Sequence, residues 1–340
     1  MQNIAVVILN WNGLNLLKSH LPNVIKNSGN ARIIVADNAS TDDSVDFIKN
    51  NFPTVEIISN LKNEGFAKGY NEALKRIESE FYVLLNNDVE VSENWLNPLI
   101  NVFSDSKVVG CQPKIISFND RSSFEHAGAS GGYIDRNYFP FCRGRIFDAI
   151  EKDNNQYDSK EEVFWSTGAA LMIRAKEFHS VNGFDEDFFA HMEEIDLCWR
   201  LKKKGFKFMV EPSSKVYHIG GGTLPYQSPK KVYLNFRNSL MMLIKNHEGM
   251  LFPKLFNRLC LDGIAAIRFI FKGEFKQFAA VFNAHLYQYA RLGSLLKKRK
   301  AIKKASTVFN ASGIYKGSIV WKYYVKGVRQ FSQLNKTLFR

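Results

Sequence analysis

Cysteine is scarce in this 340-residue chain, and the four present, Cys111, Cys142, Cys198 and Cys260, show no paired or metal-type spacing. That excludes a disulfide framework and a zinc ribbon. It implies a reducing compartment in which each thiol serves as a small buried hydrophobe. No stretch approaches the ~20 apolar residues that a membrane-spanning helix needs. The start, Met1-Gln2-Asn3, has no basic region, and the apolar run Ile4 to Leu9 is too short for a secretory signal. A cytoplasmic protein, soluble or attached to a membrane surface, is expected. No period of 20–50 residues recurs, so solenoids and propellers are excluded.

What is present is apolar and aromatic enough for a large core: 45% hydrophobic and 14% aromatic residues describe a globular chain, with length suggesting about two units. The net charge of +13 is unevenly placed. Residues 1–240 hold 27 Lys and Arg against 30 Asp and Glu, whereas residues 241–340 hold 19 against 3, a local balance of +16. A boundary is therefore expected near 240, separating domain 1–240 from a basic helical extension, 241–340.

The first half alternates strand-like and helix-like runs. "IAVVIL" (4–9), "RIIVAD" (32–37), "VEIIS" (55–59) and "FYVLLN" (81–86) read as parallel strands covered on both faces. The segments between them read as helices, which predicts βαβ units and a mostly parallel, doubly wound sheet of the Rossmann type. "VVGCQPKII" is a further strand, residues 117–163 form loops or a small antiparallel addition, and "KFMVEPSSKVYHIGGGT" supplies two short strands and a glycine run. Beyond 231 helices dominate. From Leu255 to Lys272, Arg258, Asp262, Arg268 and Lys272 share one arc, and Leu255, Leu259, Cys260, Ile264, Ile267, Ile270 and Phe271 the other.

In an open parallel sheet ligands bind beyond the carboxyl ends of the strands. Three such ends are polar: Asn10-Trp11-Asn12-Gly13, Asp37-Asn38 and Asn86-Asn87-Asp88. Asp37 could accept a hydrogen bond from a nucleoside base or ribose, while Ser40 with Asp43 three residues on resembles a helix-capping box. Asp88 is a candidate ligand for a hard divalent cation neutralising a diphosphate leaving group. His218, before Gly220-Gly221-Gly222, is a second candidate, and an imidazole ligand favours Mn2+ over Mg2+. Glu193, Glu194 and Asp196 open an apparent helix. Acidic residues suit a first helical turn, but the aromatic "GFDEDFFAHM" before them would also raise a carboxyl pKa to that of a general base.

Seven segments in order, "VVILNWNG", "VADNASTDDS", "NEGFAKGYNEAL", "LLNNDVEV", "STGAALMIR", "GFDEDFFAHMEEIDLCWR" and "VYHIGGGT", resemble the family 2 glycosyltransferases, particularly the rhamnosyltransferase-like branch, over residues 3–240. The resemblance implies a GT-A fold, a nucleotide-diphospho-sugar donor, Mn2+ or Mg2+, and inversion at the anomeric carbon. It places Asn10, Asp37, Asn63, Gly65 and Asn71 around the nucleotide, with Asn86 and Asn87 on the same edge. It makes Asp88 the last position of the DxD-type motif, Glu194 the base and His218 a partner in the metal–diphosphate site. Asn86 stands where many members carry the first Asp, and Glu194 replaces the commoner Asp, so Glu193 and Asp196 remain alternatives.

The expected reaction transfers a sugar, rhamnose by the family branch it resembles, to a hydroxyl of a cell-surface glycan or lipid-linked saccharide. The basic extension either rests peripherally on the anionic inner face of the cytoplasmic membrane or packs on the core. Two rival classes are a sugar nucleotidyltransferase and a non-catalytic membrane- or nucleic-acid-binding protein. The first would need a glycine-rich, basic loop that "LNWNGLN" lacks. The second would, for nucleic acid, need basic residues ordered with stacking aromatics, so no nucleic-acid partner is expected.

Overall fold

Alternate residues of a strand face opposite sides of its sheet, and the first strand, β1 (Ile4–Asn10), is apolar on both. Ala5 and Val7 join one buried cluster, Val6 and Ile8 another. The computed structural model describes residues 3–220 and 228–340. After β1 come α1 (Leu14–Asn27), β2 (Arg32–Asp37), α2 (Ser44–Asn51), β3 (Glu56–Ser59), α3 (Gly65–Leu74), β4 (Phe81–Asn86), β5 (Val89–Val91), α4 (Leu96–Val102) and β6 (Val108–Ser117). Side chains of α1, α2 and α4 fill one cluster and those of α3 the other, so the sheet is wound on both faces.

The chain next builds a small second sheet from β7 (Gly132–Asp135), β8 (Pro140–Cys142), β9 (Arg145–Ile146) and β10 (Ala149–Ile150). It then returns to the main sheet with β11 (Glu161–Val163) and β12 (Ala170–Arg174), followed by α5 (Ala175–Ser180), α6 (Glu193–Lys202) and β13 (Lys207–His218). The main sheet runs β11-β13-β6-β12-β4-β1-β2-β3, with β5 paired to β13. The β4-β1-β2-β3 half is parallel, but β12 inserts antiparallel between β4 and β6, and β11 and β5 pair antiparallel with β13. Because β12 is antiparallel to both β4 and β6, and β13 is parallel to β6, six of the nine strands (β1, β2, β3, β4, β6 and β13) share one direction, and the sheet is mostly parallel with β5, β11 and β12 opposed.

Three local expectations change. β3 lies at the sheet edge and is half-exposed rather than covered on both faces. "KFMVEPSSKVYH" is one strand, because the apparent break at Pro212-Ser213-Ser214 is a register shift within continuous pairing to β6. Ser214 Oγ pins that irregularity by donating to the Trp95 carbonyl at 2.7 Å. Cys260 is exposed, unlike the other three cysteines.

The tail adds α7 (Pro229–Asn246), α8 (Leu251–Phe271), α9 (Phe275–Ala305), a short strand β14 (Ile314–Tyr315) and α10 (Ile319–Tyr324). The charge boundary at 240 falls inside α7, without a break in the helix. β14 pairs with β7 and completes the small sheet, and Met241, Leu295, Tyr315 and Leu334 belong to the same cluster as the sheet's own side chains. None of the described helices is long and apolar enough to cross a membrane.

Helix α8 turns a charged pair inward and apolar side chains outward. Arg258 and Asp262 are buried and bonded to each other at 2.9 Å, while Ile264, Ile267, Ile270 and Phe271 are exposed. Arg258 also donates to Ser239 Oγ on α7 and lies over the Phe139 ring. Removing one member of a buried ion pair strands the other charge, at a cost of about 3–5 kcal/mol. Asp262→Ala is expected to lower unfolding free energy by that amount in a denaturant titration. A change below ~0.5 kcal/mol, the scale of a surface substitution, would mean that the polar arc faces water.

Candidate active site

Strand register brings the three polar ends to one rim. Asn10 lies directly opposite Asp37 across β1 and β2, and Leu9 opposite Asn86 across β1 and β4. The side chains interlock there: Asn10 Nδ2 donates to Asp37 at 3.4 Å and to Ser40 Oγ at 3.3 Å, and Asn87 donates to Asn10 Oδ1 at 2.9 Å. A Cβ on Gly13 would sit 2.3 Å from Asn10 and 2.4 Å from Asn87, so only glycine lets this loop close over the pair. Asp37 also accepts from the Ser40 backbone N–H at 3.0 Å. The expected Ser40–Asp43 capping box does not form. Asp42 instead accepts from Leu14 N and Ser44 N, tying the starts of α1 and α2 together.

Asn63 and Gly65 reach the same rim through Asn38, whose amide donates to Asn63 Oδ1 at 2.9 Å and to the Gly65 carbonyl at 3.2 Å. Asn71 does not. Its amide brackets the Phe184 backbone, donating to the carbonyl at 2.9 Å and accepting from the N–H at 3.0 Å, so it ties α3 to the 183–186 loop.

Asp88 and His218 meet at 3.1 Å, Oδ1 to Nε2, at the mouth of the rim, with the Asn86 amide 3.3 Å from the same nitrogen. The other ring nitrogen of His218 is 3.1 Å from Glu125, close enough for an ion pair though not aligned as a hydrogen bond. Burial alone would lower the His218 pKa. Two adjoining carboxylates outweigh it and push the imidazole up to about 10. Burial likewise opposes ionisation of Asp88, yet the His218 contact holds it below the usual carboxylate range. The donor set, a carboxylate and an imidazole backed by a second carboxylate, fits a divalent cation. No three-residue cluster of protein ligands exists among the described residues, so phosphate oxygens would have to complete the coordination. Of the glycines after His218, Gly220 is left-handed with φ 70°, whereas Gly221 and Gly222 lie outside the described residues.

The acidic segment approaches from across the sheet. β12 begins where β4 ends, because the two are antiparallel, and Asn86 N donates to the Ala169 carbonyl at 3.0 Å. A Cβ on neighbouring Gly168 would lie 3.9 Å from the Glu194 Cβ, so Glu194 packs against the same loop. Glu194 Oε2 and Glu193 Oε2 are both sealed from water without hydrogen-bond partners, although part of the Glu194 side chain reaches solvent. Burial pushes Glu194 up to about 7, and burial with the adjacent Glu194 charge pushes Glu193 up strongly.

Asp196 has a different fate. It is wholly buried, accepting from Arg200 Nε at 2.7 Å, Lys245 Nζ at 2.9 Å and Asn246 Nδ2 at 2.7 Å. A carboxylate enclosed by three donors has neither a free lone pair facing substrate nor access to it, so Asp196 is a structural anchor and not a candidate base.

The turn that delivers Glu193 and Glu194 is strained: Phe189, His191 and Met192, none of them glycine, have φ of 63°, 71° and 71°. Each such residue costs on the order of 1–3 kcal/mol and persists only where the surroundings hold it. Here Asn238 donates to the carbonyls of Phe188, Ala190 and His191, and Arg237 to those of Asp187 and Phe188. The Phe189 carbonyl caps the start of α3 by accepting from Phe66 N at 2.7 Å. Gly65, with φ 87°, is required at that contact, since a Cβ would meet this oxygen at 2.6 Å.

Glu125, Arg237 and Asn238 escape sequence reasoning. Glu125 sits in a stretch that reads only as loop, and Arg237 and Asn238 lie on a helix face with no chemical motif around them.

The family profile described as "Glycosyl transferase family 2" matches residues 5–175, half of the chain. The chain belongs to that family. This glycosyltransferase is 23% identical over 251 residues to the N-acetylglucosaminyl-diphospho-decaprenol L-rhamnosyltransferase of Mycobacterium tuberculosis, covering 69% of this chain and 81% of that protein. It is 24% identical to the dTDP-rhamnosyl transferase RfbF of Shigella flexneri, covering 73% and 82%. Among solved structures, it superposes on the mannosyltransferase PcManGT of Pyrobaculum calidifontis, in complex with GDP-Man and Mn2+, with a TM-score of 0.52 over 89% of this chain and 81% of that one. At 14% identity that likeness concerns the GT-A fold alone. Neither rival class gains support: the glycosyltransferase is an enzyme built to use a nucleotide-sugar donor.

The two carboxylates predict opposite stability effects. Asp196→Ala is expected to destabilise the glycosyltransferase by about 3–5 kcal/mol, because Lys245 and Arg200 lose their buried partner. Glu194→Gln removes a carboxylate that burial disfavours when charged, and at pH 8 is expected to leave the melting temperature unchanged or higher. Thermal melts of both variants check this; equal losses would contradict the assignment of distinct roles.

Proposed function

We propose that the glycosyltransferase moves a sugar, rhamnose in the reading its relatives favour, from a nucleoside diphosphate to a hydroxyl of a lipid-linked or cell-envelope saccharide, with inversion. What supports this reading is that Asn10, Asp37 and the Asp88–His218 pair lie at one sheet edge, with Glu194 packed against the Gly168 loop beside the end of β4 and its carboxyl pushed up to about 7 by burial. Asn10, Asp37, Asn63 and Gly65 would frame the nucleoside, with Asn86 and Asn87 beside the diphosphate. A divalent cation, Mn2+ or Mg2+, held by Asp88 and His218, would supply charge neutralisation for the leaving diphosphate. His218 would have to release its proton to serve as ligand, so cation affinity should rise with pH.

Glu194 accepts the proton of the acceptor hydroxyl while that oxygen forms its bond to the sugar C1. The bond from C1 to the diphosphate oxygen breaks on the opposite face, and the electron pair leaves with the diphosphate. A carboxylate near pKa 7 is matched to this task, since it is ionised near neutral pH yet basic enough to take a proton. Glu193, more strongly raised and beside it, remains the alternative base. An acceptor carried on a membrane lipid would explain why so basic a tail is built against the catalytic unit.

The reading is tested by release of nucleoside diphosphate from a panel of thymidine, uridine and guanosine diphospho-sugars with Mn2+. Glu194→Gln is expected to retain donor binding and lose at least ~10² in turnover. In the wild type kcat/KM should fall below pH ~7 as Glu194 protonates, and this acidic limb should vanish in the variant. Normal turnover in Glu194→Gln would transfer the role to Glu193. Glu125 is proposed to hold the His218 ring. Glu125→Gln should weaken Mn2+ binding about 10–100-fold, measured as free Mn2+ by electron paramagnetic resonance. Unchanged affinity would remove Glu125 from the site.

A further inference from the structure

The outer face of the α8–α9 hairpin carries an apolar stripe along α8 and the first half of α9. Along α8, Phe252, Phe256, Cys260, Ile264, Ile267 and Phe271 follow at steps of four, four, four, three and four residues, the spacing of one helical face. Their exposure is large: Phe252 78%, Phe256 61%, Ile264 65%, Ile267 51% and Phe271 87%. The opposite side of the helix carries Arg258, Asp262 and Ala266, all buried. Helix α9 repeats the pattern, with Phe275, Phe282, Leu286 and Tyr289 exposed and Val281, Ala284 and Gln288 buried. Phe252 and Phe256 stack with ring centroids 6.3 Å apart beside a shallow apolar hollow of ≈ 560 Å³. Helices that turn a paired Arg–Asp inward and phenylalanines outward are not arranged for water, and apolar patches of this extent mark contact surfaces.

We propose that this face is a docking surface for an anionic lipid bilayer, into whose interfacial zone the two stripes are buried lengthwise. It rests on the transferase reading for its purpose, delivery of a lipid-borne acceptor, but not for its geometry. Charge selects the occupant. The last hundred residues carry +16, and the exposed cations Lys272, Lys276, Lys297 and Lys300 lie on the hairpin itself. Lys297 and Lys300 continue the α9 stripe at helical spacing, so their stems can lie along the apolar surface with the ammonium groups at the headgroups. A second copy of this chain would oppose like charges across the same face, whereas phosphate headgroups complement them. Neither helix is long and apolar enough to cross a bilayer, which leaves a contact in the interfacial plane.

The test is flotation of the full chain with vesicles of phosphatidylcholine alone or mixed with phosphatidylglycerol, without donor or acceptor. The wild type is expected to float with the mixed vesicles and less with the neutral ones. The triple variant Phe256→Ser, Ile264→Ser, Phe271→Ser should lose about tenfold or more of its bound fraction, since each side chain forfeits its burial in lipid. The milder single variant Phe271→Ser should lose less. Both should keep the wild-type melting temperature and donor hydrolysis, which separates failure of this surface from failure of the transferase reading. Wild type that stays unbound, or a folded triple variant that floats equally well, overturns the proposal. So does a wild-type dimer, by light scattering, that the triple variant dissociates, because a second copy would then be the occupant.

Discussion

Lys245 lies almost wholly out of water between Asp185 and Asp196, and the position of the candidate base depends on it. Taking an ammonium and two carboxylates out of solvent is costly, and the arrangement holds only if the charges stay matched and hydrogen-bonded. Here they are, with Arg200 and Asn246 completing Asp196 and Lys298 bridging Asp185 to Asp187 at 2.6 Å each. One end of this network is α6, which presents Glu193 and Glu194. The other end is α7 and α9, in the basic tail. A carboxylate can stay unpartnered in an apolar setting only while its neighbours cannot relax toward it, and the buried network supplies that rigidity.

The strained turn adds a second bond between the same parts. Three left-handed non-glycine residues in a row of four, Phe189 to Met192, would relax if free. Arg237 and Asn238 of α7 hold their carbonyls from one side, and the start of α3 holds Phe189 from the other. Because α3 also lies beside the Asp37–Asn38 end through Asn63 and Gly65, the Asp37 side of the rim and the segment that leads to Glu193 and Glu194 share one mechanical frame. Asn71, whose amide closes on Phe184, belongs to that frame and not to the pocket.

The parallel half of the sheet could be read from composition because strands covered on both faces must be continuously apolar, and their polar ends then mark the ligand edge. β12 was harder: "ALMIR" is as apolar as its neighbours, and pattern alone carries no information about strand direction. In α8, periodicity groups Arg258, Asp262, Arg268 and Lys272 on one arc, yet Arg258 and Asp262 are buried and satisfy each other while Arg268 and Lys272 are exposed, so pattern alone does not say which polar side chains turn inward. Asp196 shows the same blindness. Three acidic residues at a helix start look equivalent in sequence, and only the cations arriving from residue 245 and from one helical turn onward set the paired Asp196 apart from the unpaired Glu193 and Glu194. The run "KKRKAIKK" also divides by helical phase: Lys298 and Arg299 turn inward to Asp185 and to backbone carbonyls, while Lys297 and Lys300 face out.

That division bears on why the tail is so basic. Part of the positive charge is structural, since Lys245, Arg258, Lys298 and Arg237 each neutralise or cap a group in the folded chain. A surplus of cations used only for internal pairing would be matched by acids, as Lys245 is matched by Asp185 and Asp196. Outside α7 the tail offers only Glu248, Asp262 and Glu274 against its many Lys and Arg, and Asp262 is already engaged by Arg258. Part of the remainder, Lys272, Lys276, Lys297 and Lys300, is exposed on the hairpin that also presents phenylalanine, isoleucine and leucine outward. Unpaired cations among exposed apolar side chains are unfavourable against a protein interior and indifferent to water, but each component suits a different depth of an anionic lipid surface. α9 holds the 185–187 segment through Lys298 on its inner face and carries the exposed apolar stripe on its outer one, so the proposed bilayer contact and the segment leading to the candidate base share one helix.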